Sequence, residues 1–320
     1  MDKWKSKFQN DIISMLDYYE ALGYKRFSHE KTLLKFDNYC ADNFPKSSKL
    51  SEKIVLSWLE SENTNLSQKA GSIRIFGKYL VALGKDAYVL YEKYSTSKIK
   101  SKPYIFTDEE LKHLFHSIDK MKATKTEPFI HEILPVIFRL IYTCGLRPNE
   151  GRQLKTENVN LKTGEIFITN TKGKKDRIVV ISDDMLRLLK FYMARRKIFG
   201  GDNAYLFPSF SNEVFTSNQI DNYFKKAFSN AFPDISKEEL PSIRTYDLRH
   251  RFASAVLNRW LDNKENLASK LPYLRAYMGH KSLSETSYYI HLLPENLLKS
   301  TGIDWQAFEE IIPEVSLWEE

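Results

Sequence analysis

Cysteine is scarce in this 320-residue sequence, which contains only Cys40 and Cys144. The two residues lie far apart and form no CxxC pair, which argues against a zinc site and indicates reduced thiols. No apolar run approaches the ~20 residues that a membrane-spanning helix needs. Residues 1–5 lead directly into a polar helical pattern, without the apolar stretch of a signal peptide. We therefore expect a cytoplasmic protein without a metal ion or membrane contact.

A phosphate-binding GxxxxGK[ST] loop is also missing, so we expect no nucleotide cofactor. Internal repeats and low-complexity segments are absent from the sequence as well. Hydrophobic residues make up 42% and charged residues 28% of the chain, which is ordinary for a globular protein. The length of the chain suggests two domains.

The positive charge of the chain is unevenly distributed. The net charge is +7 at pH 7. Residues 1–102 hold 18 basic and 12 acidic residues, whereas residues 304–320 hold six acidic residues and no basic one. Two basic regions followed by an acidic tail favour a polyanionic partner such as nucleic acid. Many proteins without such a partner are equally basic.

Helical patterns fill residues 1–95. Apolar residues recur at helical spacing from Trp4 to Tyr19. We predict a second helix capped by Ser28 and a short third helix opened by Ser51. A fourth helix spans about 66–83, and Gly84 ends it. The N-terminal part is therefore predicted to be a helical bundle.

A polar and basic segment at 95–103 (STSKIKSKP) ends in proline and is the best candidate for a linker. We accordingly predict a first domain at 1–100 and a second at 101–303. An acidic tail helix follows at 304–320.

The second domain is predicted to be mixed. We predict a helix that begins after Thr107 and has acidic residues in its first turn. A long apolar helix is predicted at roughly 128–144. Only one region has the pattern of β structure, with short strands expected at 159–161, 165–169 and 177–181. The fold class is therefore mainly α with a small antiparallel sheet.

Breaking a phosphodiester bond without a metal ion requires side chains that carry out three separate functions. A nucleophile must lie in line with the phosphorus, and the equatorial oxygens need fixed positive charge. The leaving 5′ oxygen needs a proton. Arginine suits the second task, because its planar fork makes bidentate bonds to phosphate and stays charged. Two arginines, a lysine acid and an oxygen nucleophile would be enough.

The sequence holds these groups in four segments, CGLRPNE at 144–150, TKGKKDR at 171–177, YDLRHRF at 246–252, and MGH at 278–280 with YYIH at 288–291. Gly145 and Pro148 would place Arg147 in a tight corner between two helices. Tyr246 and Arg249 lie on one face of a helix start. Taken singly, each segment has a commoner structural explanation, such as a helix corner, a solvated turn or packed aromatic rings.

The order of the segments resembles the tyrosine recombinase (phage integrase) family. That family has an arginine in a GLR-x-x-E corner, a lysine in a TKG hairpin, an LRH motif, an LGH motif and a tyrosine before x-His. The matching residues here are Arg147 with Glu150, Lys172, Arg249 with His250, Gly279 with His280, and Tyr289 with His291. Five motifs in order over about 145 residues make the resemblance specific.

The resemblance implies a role for each matched residue. Arg147 and Arg249 would clamp the scissile phosphate, and Lys172 would protonate the leaving 5′ oxygen. Tyr289 would attack the phosphorus and carry the 3′-phosphotyrosyl link, while His280 would hydrogen-bond a phosphate oxygen. Supporting roles would fall to Glu150 and His291.

One position departs from the family pattern. The family most often has a histidine three residues before the second arginine, where this sequence has Tyr246. A phenol with a pKa of about 10 can donate a hydrogen bond but cannot accept a proton near pH 7. We predict that Tyr246 supports the transition state as a donor, and the group that deprotonates Tyr289 stays open. Tyr288 is the alternative nucleophile.

Further basic residues are candidates for contact with DNA phosphates, namely Lys69, Arg74 and Lys78 on the fourth helix and Lys174 and Lys175 in the hairpin. A solvated helix face and a solvated turn are the alternatives. The acidic tail at 304–320 has an apolar face. It either packs on its own domain or, as the resemblance implies, docks on a neighbouring protomer.

The resemblance implies a SAM-like core-binding bundle followed by a mixed α/β catalytic domain. The implied function is site-specific recombination of double-stranded DNA by a homotetramer without a cofactor, in the cytoplasm at the nucleoid. The protein would be an integrase or transposase of a mobile element, or a dimer resolvase. A type IB topoisomerase and a non-catalytic DNA-binding regulator are the alternatives.

Overall fold

The chain divides into two compact units, Met1–Ser101 and Lys102–Glu320. The computed structural model describes residues 4–24, 26–61, 65–92, 94, 103–169, 176–211 and 213–290. Most of the predicted linker and the whole predicted tail at 304–320 lie outside these ranges. Among the helices of the described ranges, none is long and apolar enough to cross a bilayer.

The first unit is built from helices α1 (Gln9–Ala21), α2 (Phe27–Asn43), α3 (Glu52–Glu60) and α4 (Leu66–Ala82). Ser51 caps α3 as predicted, because its hydroxyl accepts a hydrogen bond from the Ile54 N–H. The prediction that Ser28 caps α2 is wrong. Arg26 already has helical backbone angles, so the helix begins at Phe27 and Ser28 lies inside its first turn.

Aromatic side chains fill the core of the first unit. Phe36 is completely buried, and its ring packs against the rings of Phe8, Trp58 and Phe76. Burial of each such side chain contributes roughly 1.5–3 kcal/mol relative to exposure. The aromatic core therefore joins α2, α3 and α4 into one body.

The second unit contains helices α5 (Asp108–Asp119), α6 (Ile130–Thr143), α7 (Pro148–Arg152), α8 (Asp183–Phe199), α9 (Ser217–Ala231), α10 (Asp247–Asp262), α11 (Leu267–Met278) and α12 (Leu283–Ser287). Its strands are β1 (Val159–Asn160), β2 (Glu165–Ile168) and β3 (Arg177–Val180). They form an antiparallel sheet in the order β1-β2-β3. The predicted fold class, mainly α with a small antiparallel sheet, is confirmed.

Helix α6 is the centre of the second unit. Its side chains are buried on nearly every face, and it packs against α5, α8 and α10. The predicted start of α5 is also confirmed. Thr107 accepts a hydrogen bond from the Glu110 N–H, and the Glu110 carboxylate accepts one from the Thr107 N–H, which satisfies two backbone donors at once.

Candidate active site

Two glycine turns form the framework of the site. Gly145 follows α6 and Gly279 follows α11, and both have positive φ angles, +57° and +65°. A Cβ atom at position 145 would lie 2.4 Å from the Phe252 ring, so the close packing there also requires glycine. Each turn presents backbone carbonyls at the negative end of a helix dipole, where a cation is favoured.

Arg249 projects from α10 onto both turns. Its Nη1 donates to the Gly145 carbonyl at 2.6 Å and its Nη2 to the Met278 carbonyl at 2.7 Å. The side chain is completely buried, and the Nε–H group has no hydrogen-bond partner in the described part of the chain. Burial lowers the pKa of Arg249, but an arginine in a protein stays charged. The site therefore holds a fixed guanidinium whose Nε–H group is left as a hydrogen-bond donor.

Arg147 lies in the corner between α6 and α7, where Pro148 is the first helical residue. Its Nη2 donates to the Gly279 carbonyl at 2.8 Å and its Nη1 to Glu150 at 2.8 Å. Met278 and Gly279 are adjacent, so two arginines that are remote in the chain converge on consecutive carbonyls. The structure thus places Arg147 and Arg249 side by side, as a phosphate clamp requires.

Glu150 is the anion that the cations of the site share. Its carboxylate accepts hydrogen bonds from Arg147 and, at 2.8 and 3.1 Å, from Arg177. It also lies 4.0 Å from Nη1 of Arg249. Burial by itself would raise the pKa of Glu150, but the hydrogen bonds and charges of Arg177 and Arg147 outweigh it and lower the pKa to about 2. Glu150 is therefore ionised at all physiological pH values.

Arg177 ends the TKGKKDR segment and begins a predicted strand, but no role in the site was predicted for it from the sequence. Besides holding Glu150, its Nε donates to the Tyr277 carbonyl at 2.7 Å. One signal was available. Strand alternation puts Arg177 on the same face as the buried Val179, and a charged residue on the inward face of a strand needs a buried partner.

Tyr289 is buried at the centre of the site, with 3% of its surface exposed. Its ring stacks on His280 at 5.9 Å and contacts His250 at 5.4 Å between centroids. Burial raises the pKa of Tyr289 to about 12, although the nearby Arg249 guanidinium acts in the opposite direction through a hydrogen bond and its charge. Its neighbour Tyr288 is 42% exposed, so the two adjacent tyrosines occupy different environments.

His280 and Tyr246 complete the set of groups around the guanidiniums. His280 is buried, and burial together with the charges of Arg249 and Arg147 lowers its pKa to about 3. Tyr246 precedes α10, and its side chain is close enough to Arg147 to help raise the pKa of that arginine. At neutral pH the His280 imidazole and the Tyr289 phenol are therefore uncharged beside several fixed cations.

Four predicted site residues, Lys172, Lys174, Lys175 and His291, lie outside the described residues. The structure brings together the other six residues predicted to have a catalytic or supporting role, which are Arg147, Glu150, Tyr246, Arg249, His280 and Tyr289. His250 was noted in the sequence only as part of a motif. It is buried between the rings of Tyr246 and Tyr289.

The basic residues of α4 occupy three different environments. Lys69 is buried, with its Nζ donating to the Trp58 carbonyl at 2.9 Å and lying over the Trp58 ring. The prediction that Lys69 contacts DNA is therefore wrong. Arg74 donates to two backbone carbonyls of the segment that follows α4. Lys78 is exposed and forms a 3.1 Å ion pair with Glu92.

Known proteins are similar to this chain in sequence and in fold. The model of the phage integrase family matches residues 104–296, more than half of the chain. The tyrosine recombinase XerD of Rickettsia bellii is 24% identical over 315 residues, which cover 92% of this chain and 97% of that protein. A crystal structure of the XerH site-specific recombinase in a post-cleavage complex with difH substrate has a TM-score of 0.60 at 20% identity, covering 100% of this chain and 92% of that one.

A lambda integrase tetramer bound to a Holliday junction has a TM-score of 0.57 at 14% identity, covering 88% of this chain and 76% of that one. At these identities the two solved structures show a common fold. The family match covers the segment that contains both arginines, the histidine and the buried tyrosine. This chain therefore belongs to the phage integrase family, whose members are the tyrosine recombinases.

Proposed function

We propose that this protein is a site-specific recombinase that cuts and rejoins double-stranded DNA through a 3′-phosphotyrosyl link to Tyr289. The observation that carries the proposal is the convergence of Arg147, Arg249 and the Tyr289 phenol within one buried site. Fixed guanidiniums beside an oxygen nucleophile are what an in-line attack on a phosphodiester requires.

Each residue then has a defined task in cleavage. Arg147 and Arg249 bind the two non-bridging oxygens of the scissile phosphate, and His280 donates a further hydrogen bond to them. The oxygen of Tyr289 loses its proton to a base that stays unassigned and attacks the phosphorus, and the bond to the 5′ oxygen breaks. Lys172 supplies the proton to that oxygen. The phosphotyrosyl bond conserves the energy of the broken bond, so the reverse attack by a 5′ hydroxyl rejoins the strand.

In the DNA-free protein Arg249 is completely buried and Tyr289, which interacts with it, is almost completely buried. A phosphate can contact the Arg249 guanidinium only if side chains that bury it move aside. We therefore propose that the site rearranges when DNA binds. The phenol stays protonated until then, because its pKa is raised to about 12.

The proposed assembly is a homotetramer that exchanges strands in two rounds through a four-way junction. The lambda integrase structure, a tetramer on a Holliday junction, supports this arrangement by its shared fold. We assign the coupling of protomers to the tail at 304–320, and phosphate contacts to Arg74, Lys78, Lys174 and Lys175. The protein would act at the nucleoid as an integrase or transposase of a mobile element, or as a dimer resolvase.

Trapping of the covalent intermediate tests the proposal. The full-length protein is incubated with nicked duplexes, both a random-sequence pool and the DNA that flanks its gene, and adducts are isolated under denaturing conditions. We expect adducts to be enriched for one sequence, and mass spectrometry to locate the nucleotide on Tyr289. An adduct on Tyr288 would refute the assigned nucleophile. Equal reaction with all sequences would indicate a topoisomerase, and no adduct would indicate a DNA-binding regulator.

Removing the hydroxyl of Tyr246 should slow cleavage without preventing it. The Tyr246→Phe variant loses one hydrogen-bond donor beside Arg147, so we expect a cleavage rate reduced about 10-fold or more. Single-turnover cleavage of a nicked duplex measures the effect. Tyr273, a 72% exposed tyrosine of the same unit, provides the matched control as Tyr273→Phe. Equal rates in the Tyr246→Phe variant and the wild type would exclude the donor role.

A further inference from the structure

Thr286 is a buried polar residue to which the proposed cleavage steps give no task. It lies in α12, and its surface is 0% exposed. Its hydroxyl oxygen lies 2.8 Å from Nδ1 of His280, which is itself buried. The hydroxyl can accept a hydrogen bond from Nδ1–H or donate one to Nδ1, and when it donates, the proton of a neutral imidazole lies on Nε2.

The position of that proton decides whether His280 can help to bind phosphate. Burial and the nearby guanidiniums lower the pKa of His280 to about 3, so the ring is neutral and carries one proton. Because Nδ1 faces Thr286, Nε2 is the nitrogen left for a phosphate oxygen. With the proton on Nε2 the ring donates a hydrogen bond to that oxygen. With the proton on Nδ1 a lone pair would face an anion, which is repulsive.

We propose that Thr286 is a positioning residue for cleavage, whose hydroxyl donates to Nδ1 of His280 and thereby holds the ring in the Nε2–H tautomer that binds the scissile phosphate. This inference rests on the proposed function and assigns it a further residue. Thr286 acts through His280 and touches neither the DNA nor the reacting atoms.

The backbone of Thr286 connects the same arrangement to the nucleophile. The Tyr289 N–H donates to the Thr286 carbonyl at 3.2 Å, and the Tyr289 ring stacks on His280 with an angle of 18° between planes. The side chain of Thr286 thus contacts His280, the proposed hydrogen-bond donor to the phosphate. The main chain of Thr286 bonds the turn that carries Tyr289, the proposed nucleophile. A shift of this turn changes the positions of both His280 and Tyr289, so the two side chains move together when DNA binds.

Two variants separate the hydroxyl from the shape of the side chain. Thr286→Val removes the donor, and Thr286→Ser keeps it. We expect the Val variant to bind DNA normally and to cleave bound DNA about 10-fold more slowly, a loss typical for residues that orient a functional histidine. The Ser variant should keep most of the rate. In a His280→Gln background the Val substitution should have no further effect, because no imidazole remains to be oriented.

The tautomer is read directly from nitrogen-15 chemical shifts of the His280 ring in the full-length, DNA-free protein, with His280→Gln identifying the signal. A His280 ring protonated at Nε2 in the wild type, and a different distribution of that proton between the two ring nitrogens in the Val variant, support the inference. A wild-type Nδ1–H ring, or a Val variant that cleaves at the wild-type rate, would overturn it. If the Val variant folds poorly, the wild-type spectrum decides.

The spectrum is recorded without DNA, so it tests the hydrogen bond independently of the trapped intermediate. A wild-type protein that forms no adduct counts against the proposed function. A wild-type protein that forms the adduct but carries an Nδ1–H ring counts against the role of Thr286 alone.

Discussion

The Arg249→Lys variant is expected to bind DNA about as well as the wild type and to cleave it about 1000-fold more slowly. Arg249 uses one N–H of each terminal nitrogen to hold the Gly145 and Met278 carbonyls. Its planar fork leaves the remaining N–H groups for phosphate. An ammonium group cannot hold both carbonyls and two phosphate oxygens at once. Loss of a single fixed donor to a developing negative charge costs about 100- to 1000-fold.

Affinity should be preserved because it arises from many contacts with backbone phosphates along the duplex. A gel-shift titration measures it, and single-turnover cleavage measures the rate. Arg187, a 73% exposed residue that pairs with Asp184 on α8, supplies the control as Arg187→Lys. The thermal midpoint of each variant shows whether it is folded. A folded Arg249→Lys protein that cleaves within about 10-fold of the wild-type rate would contradict the assigned clamp.

The Glu150→Gln variant is expected to lose about 3 kcal/mol of unfolding free energy at pH 7. The buried carboxylate is shared by Arg147 and Arg177 and lies near Arg249. Without it, three guanidiniums would be held together with no anion between them, and breaking a buried ion pair costs about 3–5 kcal/mol. Urea unfolding followed by circular dichroism measures the change. A loss below about 1 kcal/mol would mean that the cations do not depend on Glu150.

The pH dependence gives the same residue a second test. The pKa of Glu150 is about 2 in the folded protein against 4.5 for the free side chain. The folded state therefore binds fewer protons, and the stabilisation is complete above about pH 4.5 and is lost as the pH falls towards 2. The difference in unfolding free energy between wild type and Glu150→Gln should shrink over this interval. The exposed Glu157, paired with Lys155, gives a control variant, Glu157→Gln, with little effect at either pH.

Features that depend on a few neighbouring residues were predictable from the sequence. The capping box of Thr107 and Glu110 marked the start of α5, since it needs only groups within one helical turn. Gly145 and Pro148 marked the corner that presents Arg147, because one residue permits a positive φ angle and the other favours a first helical position. Short apolar segments separated by turn residues located the three strands for the same reason.

Features that depend on distant residues could not be predicted in this way. Arg177 bonds Glu150, 27 positions earlier, and the Tyr277 carbonyl, 100 positions later, so its role exists only after the chain has folded. Lys69 lies on a helical face that was expected either to be solvated or to contact DNA. Its burial is decided by the packing of α4 against Trp58 on α3, which no periodicity of a single helix encodes.

The burial of Tyr289 and Arg249 has a consequence for unwanted cleavage of the genome that carries this protein. A protomer that slides over ordinary chromosomal sequence offers neither an exposed phenol nor an open guanidinium, since Tyr289 and Arg249 are both buried in the DNA-free protein. With the proposed site, binding alone is not expected to nick the duplex. We expect cutting only of DNA that supplies enough contact energy to uncover both groups, which would limit off-target breakage after encounter and before any bond is attacked.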